Sequence, residues 1–227
     1  MLQSLLTKIE PILASYYSKL KNAQLPNLVG DREIEYSFIC ANIPSIENGI
    51  ALDFGAGNGF LSLVAVQRGY TVKAIDLLHP NLIFLIKNLK YETNDIFLTR
   101  LPTNHYDLII NCSSIEHVGL SGRYGVQKEN TKGDILAMEI LCSSLKNNGV
   151  MLLTIPVGKD SIFRPYHRVY GKRGISKLLK KFSIVKEEYW AKDKNNKWVK
   201  VNKKRALSAK PSAYYYNLGC LVLKKVE

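Results

Sequence analysis

The chain has 227 residues, of which 46% are hydrophobic and 10% aromatic, and this composition is typical of a globular domain and excludes a disordered protein. It contains no run of about 18 uncharged apolar residues and no secretory leader at its start, so we expect a cytoplasmic protein without a transmembrane segment. The net charge of +13 comes from the C-terminal third, where residues 159–227 hold 19 basic and 5 acidic side chains, which indicates either an anionic partner or a solvated lysine-rich face.

The N-terminal segment has apolar side chains at helical spacing between Leu2 and Leu20, with Pro11 expected to kink the helix. Pro26 and Gly30 then interrupt the pattern. We therefore predict a helical extension over residues 1–30 and one main domain over residues 31–227.

From residue 48 onwards, short apolar runs alternate with helical stretches. The predicted strands are Gly49–Phe54, Thr71–Asp76, Lys90–Asn94, Tyr106–Cys112 and Val150–Ile155, and the predicted helices are Gly59–Gln67, Asn81–Leu89 and Asp134–Leu145. This alternation predicts an α/β fold, a Rossmann-like doubly wound parallel sheet covered on both faces.

The C-terminal end has a different pattern, because Phe182–Trp190 and Tyr214–Leu223 are strand-like and no helical pattern separates them. We expect an antiparallel pair. The basic insertion that joins these strands, near residues 191–211, is longer than a normal hairpin loop, so we expect it to be either functional or disordered.

The most informative motif is a glycine-rich turn between the first predicted strand and its helix. Glycines there allow a tight turn and a close approach of the backbone to a ligand. A dinucleotide fingerprint that starts at Gly55 needs its third glycine where this chain has Phe60. Asp53 precedes the glycines, and its carboxylate disfavours a pyrophosphate and suits a ligand that carries an ammonium group.

Two further acidic residues follow the next strands. Asp76 ends the second strand and lies 19 residues after Gly57, a distance at which a carboxylate can accept both hydroxyls of a ribose. A helix-capping role is the alternative for Asp76. Asp95 ends the third strand and could accept an adenine amino group, with the main chain of Ile96 beside it.

The order of these features resembles that in class I S-adenosylmethionine-dependent methyltransferases, and the resemblance covers about residues 48–157. It implies a seven-stranded sheet whose last strand is antiparallel. It also implies S-adenosylmethionine as cofactor and S-adenosylhomocysteine as product. The residues that this resemblance assigns to the cofactor are Asp53, Gly55, Ala56, Gly57, Asp76, Leu77, Asp95 and Ile96.

A narrower resemblance is carried by Ser113–Tyr124, Ile155–Asp160 and His167–Gly171. These segments are similar to a group of bacterial methyltransferase-like proteins associated with surface-polysaccharide or sugar-nucleotide pathways. The resemblance implies O-methylation of a sugar or of a phosphorylated or nucleotide-linked metabolite, such as a sugar phosphate or sugar nucleotide.

The acceptor is expected beyond the carboxyl ends of the strands that finish at Cys112 and Ile155. A base assists transfer to a hydroxyl, and His117 and His167 are the candidates, although His117 could instead close the cofactor pocket. The candidate substrate-binding residues, whose basic members could also be ordinary surface charge, are Glu116, Arg123, Tyr124, Lys159, Arg164 and Arg168. No metal is expected, because Glu116 and His117 do not make a complete ligand set.

Two other functions stay open at this point. One is an RNA methyltransferase whose basic segment Lys192–Lys210 grips the phosphate backbone while Trp190, Trp198 and Tyr214–Tyr216 stack on bases. The other is a protein that binds the cofactor or a partner without turnover.

Overall fold

The computed structural model describes residues 26–80 and 86–226, together with Ile9, Ile12 and Leu13. Those three residues are helical and exposed, and the rest of the predicted N-terminal helix lies outside the described residues. Most of the predicted helix Asn81–Leu89 also lies outside them. Its end is corrected by the structure, because Lys87 and Asn88 form a turn and the next residue begins a strand.

Ten strands are present in the described residues, and eight of them form one sheet in the order β3-β2-β1-β4-β5-β10-β8-β9. The strands are β1 Gly49–Phe54, β2 Tyr70–Asp76, β3 Leu89–Thr93, β4 Tyr106–Cys112, β5 Leu145–Val157, β6 Ser161–Phe163, β7 His167–Val169, β8 Phe182–Lys192, β9 Trp198–Val201 and β10 Asn217–Lys225. Strands β1 to β5 are parallel, and β10 runs antiparallel between β5 and β8. The predicted Rossmann-like fold with a C-terminal antiparallel pair is confirmed.

The helices pack on both faces of this sheet. They are α1 Asp31–Asn42, α2 Phe60–Gln67, α3 Gly133–Ser144, α4 Lys172–Leu178 and α5 Lys203–Ser208, with a 3₁₀ turn at Ile115–His117. Side chains of a strand alternate between faces, so Ile109 joins a core with α3 and α4 while Leu108 and Ile110 join a core with α1 and α2. This two-sided burial explains why β4 is apolar along its whole middle.

The sheet has one strand more than the resemblance implied. The basic insertion folds back on β8, where Lys200 pairs with Trp190 to form β9, and it continues as helix α5. Asn202 caps that helix, since its side chain accepts a hydrogen bond from the Arg205 amide. The segment is therefore ordered, and none of the helices in the described ranges is long and apolar enough to cross a membrane.

The topology brings the loops that matter to one edge. β1 lies between β2 and β4, and the chain proceeds from β1 towards β3 on one side and from β4 towards β5 on the other. The loops after β1 and β4 therefore diverge and leave a crevice beyond the carboxyl ends of the strands.

Candidate functional site

A cavity of about 750 Å³ occupies this crevice. Its volume is within the range of small-molecule binding sites. Its lining residues include Arg32, Tyr36, Asp53, Gly55, Ala56, Gly57, Asp76, Leu77, Asp95, Ile96, His117, Tyr124 and Lys128. All eight residues expected to bind the cofactor lie in the wall of this one cavity.

The glycine turn uses its glycines in two different ways. Gly55 has φ +70°, and a Cβ placed on it would lie 2.1 Å from the Ser114 Oγ of the loop after β4. Gly57 has φ +54°, but a Cβ on it would meet nothing within 4 Å in the described chain. Gly55 thus allows two loops to pack closely, whereas Gly57 leaves its backbone open to a ligand.

The Asp76 carboxylate is part of the turn itself. Its Oδ2 accepts a hydrogen bond from the Gly57 amide at 2.9 Å and its Oδ1 one from the Leu78 amide at 3.0 Å. The hydroxyl of Tyr91 on β3 donates to the Gly57 carbonyl at 2.6 Å. Since the Gly57 amide is already paired with a carboxylate, it cannot hold a pyrophosphate. Tyr91 was missed by the sequence analysis, because nothing in the local pattern of β3 shows that its side chain reaches the turn.

Asp53 is only 2% exposed, and the Ser62 Oγ on α2 donates to its Oδ2 at 2.6 Å. Burial raises the pKa of this carboxyl to about 7. The hydrogen bond ties the end of β1 to the helix that follows the turn.

The third acidic residue, Asp95, follows β3 and shapes a turn. Its Oδ1 accepts from the Phe97 amide at 2.9 Å, and its main-chain oxygen accepts from the Thr99 hydroxyl at 2.7 Å. Its neighbour Ile96 is 4% exposed and presents an apolar wall beside the carboxylate. This end of the cavity therefore combines an acidic acceptor with an apolar surface.

His117 lies at the other end, in the 3₁₀ turn after β4. Its Nδ1 is 2.5 Å from the Tyr166 carbonyl oxygen. A carbonyl only accepts, so Nδ1 carries the proton and Nε2 keeps its lone pair. Burial, with smaller contributions from the positive charges of Arg123 and Arg32, lowers the pKa of His117 to about 4, so the ring is neutral at pH 7.

Three residues predicted to bind the substrate lie near this histidine. Tyr124 lines the cavity with its ring edge-on to His117, and the Arg123 guanidinium lies 4.6 Å from the centroid of the Tyr124 ring. Glu116 lies behind the wall, 1% exposed, with Oε1 3.6 Å from the His117 Nε2. Burial raises the pKa of Glu116 to about 8, so this carboxyl is largely protonated at pH 7.

The structure places Lys159, Arg164, His167 and Arg168 outside the lining of the cavity. Lys159 is exposed. Arg164 makes a forked ion pair with Glu129 at the surface. His167 is 6% exposed and packs between the rings of two aromatic residues, Phe163 and Tyr216.

Arg168 is the clearest departure from its predicted role as a substrate contact. It is 4% exposed, and its guanidinium donates to the carbonyl of Val118 at 2.7 Å and more weakly to three others. Its Nε also lies 3.5 Å from the Asp134 carboxylate. A charge satisfied in this way holds loops together and cannot reach a ligand.

Helix α1 contributes two lining residues, Arg32 and Tyr36, that the sequence analysis did not identify. The helix precedes every recognisable motif, and only its packing across the sheet edge brings it to the cavity. Lys128, in the loop before α3, was also missed. No group of three or more His, Cys, Asp or Glu side chains spaced to hold a metal ion is present in the described ranges.

The family model described as "Caenorhabditis protein of unknown function, DUF268" matches residues 89–226, more than half of the chain. None of the curated proteins matches the sequence.

Several solved structures share the fold. A 1,6-didemethyltoxoflavin-N1-methyltransferase from Burkholderia thailandensis, with bound 1,6-didemethyltoxoflavin and S-adenosylhomocysteine, is 12% identical with a TM-score of 0.55, over 99% of this chain and 90% of that one. The N-methyltransferase NodS from Bradyrhizobium japonicum WM9, in complex with S-adenosylhomocysteine, is 12% identical with a TM-score of 0.56, over 86% and 87%. The [4+2]-cyclase SpnF is 14% identical with a TM-score of 0.57, over 84% and 79%. At such identities the likeness establishes the fold alone.

Proposed function

We propose that this chain, which belongs to the DUF268 family, is an S-adenosylmethionine-dependent methyltransferase that acts on a small molecule. The observation that carries the proposal is the turn at Gly57, whose backbone is open to the cavity and whose amide is paired with the carboxylate of Asp76. Two proteins of the same fold, the 1,6-didemethyltoxoflavin-N1-methyltransferase and NodS, hold S-adenosylhomocysteine.

The residues at the end of the cavity that holds Asp76 and Asp95 fit this donor. Each oxygen of the Asp76 carboxylate accepts one amide and has a second lone pair for a ribose hydroxyl. The Oδ2 of Asp95 has no partner among the described residues and can accept from an adenine amino group. The open backbone at Gly57 leaves room for the amino-acid part of the donor. When bound, the donor supplies a methyl group on a positively charged sulfur.

His117 has the position and the tautomer to act on the acceptor. The hydrogen bond to Tyr166 fixes the ring, so that Nε2 can accept a hydrogen bond from an acceptor hydroxyl. A neutral imidazole whose pKa is about 4 is a weak base, and it therefore orients the hydroxyl first and takes its proton only as the new bond to carbon forms. Alignment of donor and acceptor supplies the rest of the acceleration.

For the acceptor we propose O-methylation of a sugar or of a phosphorylated or nucleotide-linked metabolite, in cytoplasmic carbohydrate biosynthesis. The cationic side chains that line the cavity, Arg32 and Lys128, support an anionic acceptor. A small acceptor is favoured over RNA because Trp198 stacks on Tyr215 and donates its Nε1 hydrogen to the Val29 carbonyl, so this ring is not available to a base. All four cysteines are free thiols, which supports a reducing compartment.

Calorimetric titration with S-adenosylhomocysteine tests the donor site. Asp76→Ala is expected to weaken binding about 100-fold, because a charged acceptor of several hydrogen bonds is lost. Gly57→Leu is expected to abolish binding by filling the open approach. Gly125→Leu is the matched control for backbone strain, since Gly125 has φ +77° and also meets nothing within 4 Å in the described chain, and it lies in the segment between β4 and α3 and not in the glycine turn.

Wild-type protein that binds no S-adenosylhomocysteine would overturn the proposal. So would unchanged affinity in both Asp76→Ala and Gly57→Leu. Equal losses in Gly57→Leu and Gly125→Leu would show that backbone strain, and not the ligand, is responsible.

A further inference from the structure

We infer that Arg32, held in place by the buried carboxylate of Glu35, selects a methyl acceptor that carries an anionic group, a carboxylate or a phosphate. This inference rests on the proposed function and names the residue that recognises the acceptor. Arg32 contacts the acceptor in this view, and Glu35 is a positioning residue that acts through it.

Glu35 lies on α1 but is anchored to the sheet. It is 1% exposed, and one carboxylate oxygen accepts hydrogen bonds from the hydroxyls of Ser113 and Thr154, the latter at 3.0 Å. These partners come from the end of β4 and from β5. Ser113 adopts φ +44°, an uncommon conformation for serine. The carboxylate is therefore fixed at the edge where the cavity opens.

The second oxygen of Glu35 orients Arg32. Nη1 of Arg32 donates to Glu35 Oε2 at 2.8 Å and lies 3.7 Å from the Cys112 Sγ. Burial acts to lower the pKa of Arg32, but the negative charge of Glu35 raises it, and the net shift is upward. The guanidinium is thus permanently charged and has one edge committed to the protein.

The other edge of the guanidinium is available to a ligand. Nε and Nη2 have no hydrogen-bond partner among residues 26–80 and 86–226, the side chain is 52% exposed, and it lines the cavity. A planar fork with one edge fixed and one edge open matches the two oxygens of a carboxylate or phosphate.

The acidic and the basic side chains that line the cavity lie in different regions of its wall. The lining carboxylates are Asp53, Asp76 and Asp95, all at the ends of β1 to β3. The lining cations are Arg32, whose Nη1 lies 3.7 Å from the Cys112 Sγ at the end of β4, and Lys128, in the segment between β4 and α3 that also carries His117. An anionic acceptor is therefore repelled from the donor end and attracted to the end that holds the proposed base.

The experiment uses the full chain, labelled S-adenosylmethionine and a metabolite extract divided by anion exchange into retained and unretained fractions. Label is expected in a product of the retained fraction.

Arg32→Ala is expected to lower kcat/KM about 100-fold, mostly through KM, and Arg32→Lys to restore only part of it because an ammonium lacks the fork. Arg173→Ala, an exposed arginine outside the cavity, is the matched control and should transfer at the wild-type rate. Phosphatase treatment of the retained fraction distinguishes a phosphate monoester from a carboxylate.

Glu35→Gln tests positioning. Its effect on the KM for the acceptor should be large in the wild-type background. It should be absent in the Arg32→Ala background, because the two substitutions remove the same contact between Arg32 and the acceptor. Label transferred to a product of the unretained fraction would overturn the inference, as would Arg32→Ala turnover within two-fold of wild type. Binding of S-adenosylhomocysteine by the same variants separates these outcomes from a failure of the proposed function, which would appear as no binding by the wild-type protein.

Discussion

The two ends of the cavity are assembled differently. At the donor end, Asp53, Asp76 and Asp95 close or follow successive strands, so each side chain is placed by its own strand and turn. At the acceptor end, contacts join distant segments: Arg32 is 80 residues from Cys112. Under the proposed function, donor recognition depends on the ends of neighbouring strands, and acceptor recognition depends on how α1 and the loops after β4 and β5 pack together. The acceptor end is the part that can differ among proteins of one fold.

The largest expected effect comes from replacing Arg168, the buried side chain whose hydrogen bonds hold together the loops near His117. Arg168→Met should destabilise the protein by about 3–5 kcal/mol, because it leaves main-chain carbonyls and the Asp134 carboxylate without their partner in the interior. Urea denaturation measures the loss, and acceptor turnover should fall more than affinity for S-adenosylhomocysteine.

Arg164→Met is the matched control for that change, since Arg164 lies four residues earlier and pairs with Glu129 at the surface. It should leave the urea midpoint almost unchanged. Equal destabilisation by the two variants would contradict the distinction between a buried tie and a surface pair.

The next largest effect is on the chemistry at His117. His117→Asn keeps a donor near the Tyr166 carbonyl and removes Nε2, so turnover should fall about 10- to 100-fold while S-adenosylhomocysteine binds as before. Single-turnover transfer to the acceptor provides the measurement. Wild-type turnover in this variant would eliminate the proposed base and leave His117 a wall of the pocket.

The smallest expected effect is on the pH dependence of stability, because a different buried acid lies at each end of the cavity, Glu116 near His117 and Asp53 near the glycine turn. The pKa of Glu116 is raised from 4.5 to about 8, so its contribution to stability is full below pH 4.5 and is lost as the pH rises through 8. The corresponding decline for Asp53 starts from pH 3.8, and the group is half ionised at its pKa of about 7, so most of its loss precedes that of Glu116. Between pH 7 and 8, Glu116→Gln should therefore flatten more of a decline of at most about 1.4 kcal/mol per pH unit than Asp53→Asn does.

The histidines work in the opposite direction at lower pH. Burial lowers the pKa of both His117 and His167 from 6.5 to about 4, so the stability that their neutral forms contribute is lost as the pH falls from 6.5 towards 4. Urea denaturation series should be run above pH 6.5, where these two groups no longer titrate. An unchanged slope in Glu116→Gln would show that this carboxyl is ionised in the folded protein.

The sheet was largely predictable from the sequence. The bounds of β1 and β4 match the predicted strands residue for residue, since a run of apolar side chains between turn residues leaves little freedom. The short hairpin of β6 and β7, helix α4 and strand β9 were not predicted. Each is held by contacts from elsewhere in the chain, such as the pairing of Ala191 with Val199 and the amides of Gly171 and Gly174 on the Asp160 carboxylate.

The sequence by itself determined the parallel sheet, the glycine turn and the acids that follow it, because these features depend on the period of apolar side chains and on conformations that only a few residue types adopt. Tertiary structure alone decided which basic side chains meet the cavity. It buried Arg168 against carbonyls, left Arg164 at the surface and brought Arg32, paired with Glu35, to the wall of the cavity. A charged side chain has no periodic signature of its role, and its partners are set by the packing of distant segments.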